Sequence, residues 1–219
     1  MNHAADDILN AISAANADLS PLLEEMTAYG RENNFPIVGP ETGQFLRTLA
    51  VATGARRVFE FGSGFGYSAA WYASVLPDDG EIVLTDFEEK NLERAESYLK
   101  RADFTGKIYY EVGDAMESFE QHDGPWDLVL VDHQKSEYAN ALSLARPELT
   151  ENAVIVADNI LRGPVSPSDL RGGLHGEATE LDENAAGIIE YVRTVRDDET
   201  FETSIVPLGS GLAVSVYRV

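Results

Sequence analysis

Five acidic residues of this chain stand at the ends of short apolar runs: Glu60, Asp86, Asp114, Asp132 and Asp158. If those runs are strands of an open α/β sheet, ligands bind beyond their carboxyl ends, and the carboxylates share one cleft. An Asp after a strand often only turns the chain or caps a helix, so it is the repetition that points to a site. Asp132, Asp158 and Asn159 offer two carboxylates and an amide oxygen with no soft ligand. That set suits a hard divalent cation, Mg²⁺ first, with Mn²⁺ or Ca²⁺ as alternatives. Lys135 follows Asp132 by three residues, which places an amine beside the same cleft. A cationic amine beside a metal is disposed to give up its proton, as a general base must. Asp86 is placed to accept hydrogen bonds from both hydroxyls of a ribose. Asp114 and the backbone N–H of Ala115 can read an adenine edge, although Asp114 equally suits a helix N-cap. His133 packs or touches a cofactor, whereas His3, His122 and His175 lack ligand spacing.

The cleft needs a floor, and the stretch Arg56 to Ser68 supplies one. Val58, Phe59 and Phe61 suit a buried strand, Gly62, Gly64 and Gly66 a tight turn, and the residues from about Gly66 to Leu76 a helix. The dinucleotide fingerprint fails because Tyr67 holds its third glycine position, and no Lys-Ser/Thr pair completes a Walker loop. Glu60, inside the strand before the first glycine, would repel a pyrophosphate and attract an ammonium or sulfonium. S-adenosylmethionine carries both.

The elements that must position these residues are legible from periodicity. Helices are expected over about Ala4–Ala17, from Ser20-Pro21 through about Tyr29, and from Pro40 to a stop at Gly54. Phe35 to Gly39 is extended and passes close to the glycine turn. Strands follow at Glu81–Asp86, Lys107–Val112, Asp127–Asp132 and Ala153–Asp158, with helices over Glu88–Arg101 and Ser136–Arg146 between them. That alternation implies a parallel sheet with helices on both faces. Leu161–Gly176 reads as a loop. Asp182 caps a helix carrying Ile188, Ile189, Val192 and Val195, and Phe201–Leu208 and Leu212–Val219 form a hairpin about Gly209-Ser210-Gly211. The whole reads as a single domain over 1–219, with N-terminal helices over 1–54 and a cofactor-binding α/β core over 55–219.

Composition narrows the partners. The chain holds 38 Asp and Glu against 16 Lys and Arg, a formal charge of -22. The acids are dispersed, so the surface repels nucleic acid and anionic lipid, and neither is expected as a partner. Such a lysine-poor, acid-rich surface fits a high-salt cytoplasm, where counterions screen self-repulsion. No run approaches the roughly 18 apolar residues of a membrane span, and Met1–Asn10 lacks a basic leader. The chain has no cysteine, which excludes disulfides, thiolate metal ligands and a thiol nucleophile. The expectation is a cytoplasmic enzyme.

Four stretches together carry a resemblance: Pro40-Glu41-Thr42-Gly43-Gln44-Phe45-Leu46, Glu60 to Ser68, Asp132-His133-Gln134-Lys135, and Val156-Ala157-Asp158-Asn159. The chain resembles the cation-dependent O-methyltransferases that include catechol and caffeoyl-CoA O-methyltransferases, from about Ile37 onward. The resemblance implies a Rossmann-like, seven-stranded, mostly parallel sheet with helices on both faces and its last strand antiparallel. It implies a cofactor site lined by Val38, Glu60, Gly62, Ser63, Ser68, Asp86, Asp114, Ala115 and Asp132. By the same resemblance Asp132, Asp158 and Asn159 hold Mg²⁺, Lys135 is the base, and the acceptor is a small aromatic diol. The alternatives are a metal-independent methyltransferase of another small acceptor, a non-catalytic S-adenosylmethionine-binding module and, less in keeping with Glu60, a nicotinamide reductase. The apolar N-terminal helices and the caffeoyl-CoA branch of the resemblance both point to a homodimer. Light scattering in multimolar salt is expected to give a dimer mass, and a monomer mass there overturns that expectation.

Overall fold

The computed structural model describes residues 11–177 and 180–218. Residues 11–15 are helical; the rest of the helix expected over Ala4–Ala17 lies outside or beyond that helical stretch, with residues 1–10 not among those described. Two helices then precede the sheet, α1 (Pro21–Glu32) and α2 (Pro40–Thr53). Ser20 caps α1 through its side chain, with Pro21 at the first position. Gly54 ends α2 in the left-handed conformation, at φ 62°.

Seven strands form one sheet: β1 (Arg57–Phe61), β2 (Glu81–Asp86), β3 (Lys107–Val112), β4 (Trp126–Val131), β5 (Leu149–Ala157), β6 (Phe201–Val206) and β7 (Leu212–Tyr217). Their order is β3-β2-β1-β4-β5-β7-β6. The first five pair in parallel, while β7 runs antiparallel between β5 and β6. The expected fold class holds: a Rossmann-like, mostly parallel sheet closed by an antiparallel hairpin. No helix among the described residues is long and apolar enough to cross a membrane.

Helices cover both faces: α3 (Tyr67–Ala73), α4 (Glu89–Leu99), α5 (Ala115–Phe119), α6 (Tyr138–Ala145), α7 (Pro167–Leu174) and α8 (Glu183–Asp197). Side chains of successive strand residues alternate between two cores. Val58, Ile82, Leu128 and Val154 pack with α1, α2, α3 and α4 on one face. Phe59, Val83, Val129 and Ile155 pack with α5, α6 and α8 on the other. Glu60 falls on the α3 side by the same alternation.

Two expectations need correction. Leu161–Gly176 is not all loop, because α7 occupies Pro167–Leu174 within it. Ser166 caps that helix with Pro167 at its first position, the signal that also opens α1, but Gly172 and Gly173 weaken its helical composition. Gly173 is needed there: a Cβ on it would stand 2.7 Å from Ile189 Cδ1 of α8. The segment after Asp132 also differs, since Lys135–Glu137 forms a 3₁₀ turn before α6 begins.

That 3₁₀ turn is held against α8 by an unusually close contact. A Cβ on Gly187 would lie 2.3 Å from the Lys135 carbonyl oxygen and 2.6 Å from Ser136 Cα. Both are main-chain atoms, so no rotamer change relieves the overlap. Gly187→Ala is expected to push the Lys135 turn off α8 and to lower stability by about 1–3 kcal/mol, read from urea unfolding. A variant as stable as wild type would show that the turn yields freely.

Candidate active site

The glycine turn after β1 is fixed by β2, mainly through Thr85. The Thr85 hydroxyl donates to the Glu60 carbonyl at 2.8 Å and accepts from Gly62 N–H at 3.0 Å. Ser63 N–H donates to the Thr85 carbonyl at 2.8 Å. Gly62 sits at φ 82°, and a Cβ there would meet the Asp132 carbonyl oxygen at 2.8 Å. The missing side chains at Gly62 and Gly64 thus make room for neighbouring protein, the Asp132–His133 main chain and the Phe35 ring. The helix after the turn is shorter than expected, at seven residues.

Glu60 is 1% exposed although it is a carboxylate inside a strand. Its two oxygens are occupied by hydroxyls from α3: Ser68 Oγ donates to Oε1, and Tyr72 Oη donates to Oε2 at 2.5 Å. Burial pushes its pKa up to about 7, against the two hydrogen bonds, which pull it down, and with a smaller upward push from Asp132.

Asp132 and Asp158 follow β4 and β5, which are adjacent and parallel, so the two carboxylates face one another's field. Burial raises the pKa of both, and each is subject to the other or to Lys135. For Asp158, burial is the largest cause and repulsion from Asp132 the next. Lys135 Nζ lies 2.8 Å from Asp132 Oδ1 and 3.0 Å from the His133 carbonyl. One ammonium therefore pairs with the half-buried Asp132 and acts on the buried Asp158 through its charge alone. Asn159 donates its N–H to Asp158 Oδ1 at 2.7 Å and stands at φ 64°, an uncommon conformation for a residue other than glycine. His133 is wedged between Phe61 and Tyr138, and neither ring nitrogen has a hydrogen-bond partner among the described residues. Burial pushes its pKa down to about 4.

One cavity of about 330 Å³ brings these groups together. Val38, Glu60, Gly62, Ser63, Ser68, Asp86, Ala115, Asp132, Lys135, Asp158 and Asn159 all line it, as does His133. Asp114 does not. It is exposed and caps α5, accepting from Met116 N–H at 2.7 Å, while its neighbours Gly113 and Ala115 form the wall. Asp86 is half-buried, and its Oδ1 accepts from Glu88 N–H and the Asn91 side chain. Sequence reading missed Thr85, Tyr72 and the wall residues Phe87 and Ser210. Phe87 carries a signal in hindsight, an aromatic directly after the strand-end acid; it is 59% exposed. Among the described residues no three His, Cys, Asp or Glu side chains gather around one point, so a cation here would rest on two carboxylates and an amide.

A family model described as O-methyltransferase matches residues 11–218. A catechol O-methyltransferase of Niastella koreensis is 32% identical over 133 residues, 57% of this chain and 58% of that protein. One of Mycobacterium tuberculosis is 33% identical over 150 residues, 68% of this chain and 64% of that protein. The matched stretches thus span less than two thirds of those relatives. The solved O-methyltransferase TomG of Streptomyces achromogenes, involved in tomaymycin synthesis and in complex with S-adenosylmethionine, superposes with a TM-score of 0.82. It is 23% identical, over 97% of this chain and 96% of that one.

The raised Glu60 pKa has a consequence for stability. The folded chain holds this proton more tightly than the unfolded chain, whose pKa is near 4.5. The contribution is therefore whole below about pH 4.5 and lost as pH rises through about 7. Compared with Glu60→Gln, wild type is expected to melt alike near the acid end and at a lower temperature near pH 8. Parallel melting curves for the two proteins across that range would show that Glu60 ionises without cost.

Proposed function

The chain belongs to the O-methyltransferase family, and from that premise we propose that it transfers a methyl group from S-adenosylmethionine to one hydroxyl of a small aromatic vicinal diol, with Mg²⁺ or a similar divalent cation bound beside it. The observation that carries this reading is the shared wall: Asp132, Asp158, Asn159 and Lys135 line the same cavity as Glu60, the glycine turn and Asp86. The names of the two catechol O-methyltransferase relatives support the acceptor class.

The residues fit the proposed groups. Asp86 stands at the end of β2 with Oδ2 uncommitted to any described partner, ready for a ribose hydroxyl. Phe87 beside it offers an exposed ring face for a base. Glu60 and Asp132 give the wall a negative field that favours an ammonium and a sulfonium. S-adenosylmethionine, when bound, supplies a methyl group already activated for transfer. Asp132, Asp158 and Asn159 are hard oxygen donors, and the shortage of positive charge around the two acids is what a divalent cation would relieve. The cation, when bound, supplies Lewis acidity toward the acceptor's paired oxygens.

The chain's own part is orientation, charge and one proton transfer. Lys135 is held at the cavity wall by Asp132 and the His133 carbonyl; in its neutral form, after it has given up the proton it shares with Asp132, its Nζ would receive the acceptor's hydroxyl proton. The 3₁₀ turn and its close packing on Gly187 fix where that nitrogen stands. Phe35, Ile37 and Val38 close the apolar side of the cavity and exclude water around the reacting groups. A metal-free variant of the reaction has one observation in its favour, the direct pairing of Lys135 with Asp132 at 2.8 Å.

The test separates metal chemistry from cofactor binding. Asp158→Ala is expected to keep S-adenosylmethionine affinity and to lose catechol methylation. Lys135→Ala is expected to bind both ligands and to turn over about 10²–10⁴-fold more slowly. Turnover and cofactor affinity measured on the same variants, with and without EDTA, decide the matter. Undiminished catechol methylation in EDTA, or by Asp158→Ala, would leave the strand-end acids as a turn and favour the metal-free reaction.

A further inference from the structure

Tyr72 has no place in the reaction described so far, yet its hydroxyl is spent on one of the site's acids. Ser68 and Tyr72 are four residues apart on α3, hence on one helix face, and both reach the Glu60 carboxylate. Tyr72 is 0% exposed and Glu60 1%. Among the described residues no basic side chain acts on Glu60; the groups that do are the Ser68 and Tyr72 hydroxyls from α3 and the Asp132 carboxylate after β4. The β2 neighbour Thr85 contacts only the Glu60 main chain. Two neutral hydroxyls are therefore all that solvates a carboxylate which burial and a like charge both work against.

We infer that Tyr72 is a positioning residue of the cofactor site: through its hydrogen bond to Oε2 it holds the Glu60 carboxylate as an anion facing the cavity, where the positive end of the cofactor binds. The inference rests on the reading of this cavity as an S-adenosylmethionine site. A tyrosine suits the task for three reasons. Its rigid ring carries a donor from the second turn of α3 to the middle of β1, where a serine would fall short. A phenol is a stronger donor than an alkyl hydroxyl. Full burial leaves no room for water to replace the bond once it is lost. Burial and the Glu60 charge also hold the Tyr72 proton on its oxygen far into alkaline solution, so Tyr72 remains the donor while Glu60 titrates.

A core tyrosine that merely needed a partner for its hydroxyl would behave differently from a positioning one. Tyr72→Phe keeps the ring and its packing and deletes only the donor. S-adenosylmethionine affinity is measured by calorimetry at about pH 6.5 and about pH 8.5 for wild type, Tyr72→Phe, Glu60→Gln and the double variant. The expected result is a roughly 5- to 20-fold loss for Tyr72→Phe at the lower pH, the size of one hydrogen bond to a charged group, shrinking toward wild type at the higher pH. The double variant is expected to bind no more weakly than Glu60→Gln alone, because the phenol acts through that carboxylate. Ser68→Ala, which empties Oε1 instead, is expected to give the same pH-selective loss and serves if Tyr72→Phe does not fold. An unchanged affinity, a loss equal at both pH values, or losses that add in the double variant would overturn the inference while leaving the cofactor reading intact. Failure of wild type to bind S-adenosylmethionine at either pH would overturn both.

Discussion

Parallel strands covered on both faces leave a charged side chain almost nowhere to sit except at their ends. The apolar residues of β1, of β4 and of β5 from Ala153 onward are essentially inaccessible, and each belongs to one of two apolar cores. Charge is therefore driven to the carboxyl edge, where Asp86 closes β2 and where Asp132 and Asp158 follow β4 and β5. Because β4 and β5 are adjacent and in register, with Val131 opposite Ala157, the acids after them must meet. The concentration of negative potential in the cleft is thus a by-product of how the sheet is buried. Under the function proposed above, that potential would draw a sulfonium, an ammonium and a divalent cation.

Glu60 is the exception to that constraint, and the cleft's geometry follows from how the exception is accommodated. It lies within β1, where its neighbours Phe59 and Phe61 belong to the opposite core. A carboxylate there requires donors from the helix above it, and α3 supplies Ser68 and Tyr72. The same chain turn that brings α3 back over β1 carries the three glycines, and Thr85 of β2 pins it from the side. Strand, turn and helix are consequently locked by polar contacts as well as by apolar burial.

Much of this was legible in the chain itself. The bounds of β2 and β3 are those the apolar runs gave, and Asp182 caps α8 with Ile188, Ile189, Val192 and Val195 all buried. Periodicity works there because burial on one or both faces decides residue type. It failed at α7, where the cap signal was present but Gly172 and Gly173, the latter packed closely against Ile189 of α8, diluted it. In the site, the acids were found from position alone, since strand ends are fixed by the runs before them. Their partners were not. That Ser68 faces Glu60, or that Tyr72 does, depends on the rotation of α3 about its axis, and that Thr85 reaches Gly62 depends on the register of β1 against β2. Asp114 illustrates the same limit from the other side, because an acid after a strand serves a helix cap as readily as a ligand, and here it caps α5.

The placement of β7 sets an order in which the molecule can be completed. β6 is synthesised before β7, yet it touches the sheet only through β7, which fills the gap beside β5. The turn between these two strands also accepts the main chain just beyond Asn159: Ile160 N–H donates to the Gly211 carbonyl, and Leu161 and Arg162 N–H donate to that of Ser210. A chain emerging from the ribosome can therefore assemble β1, β2, β3 and the glycine turn from sequence already in hand. The Asp158–Asn159 corner must wait for residues some fifty positions later, a long-range closure of the kind that slows folding. Of the cleft, the part built on β1 and β2 draws on nearby sequence, and the Asp158–Asn159 corner draws also on the C-terminal hairpin.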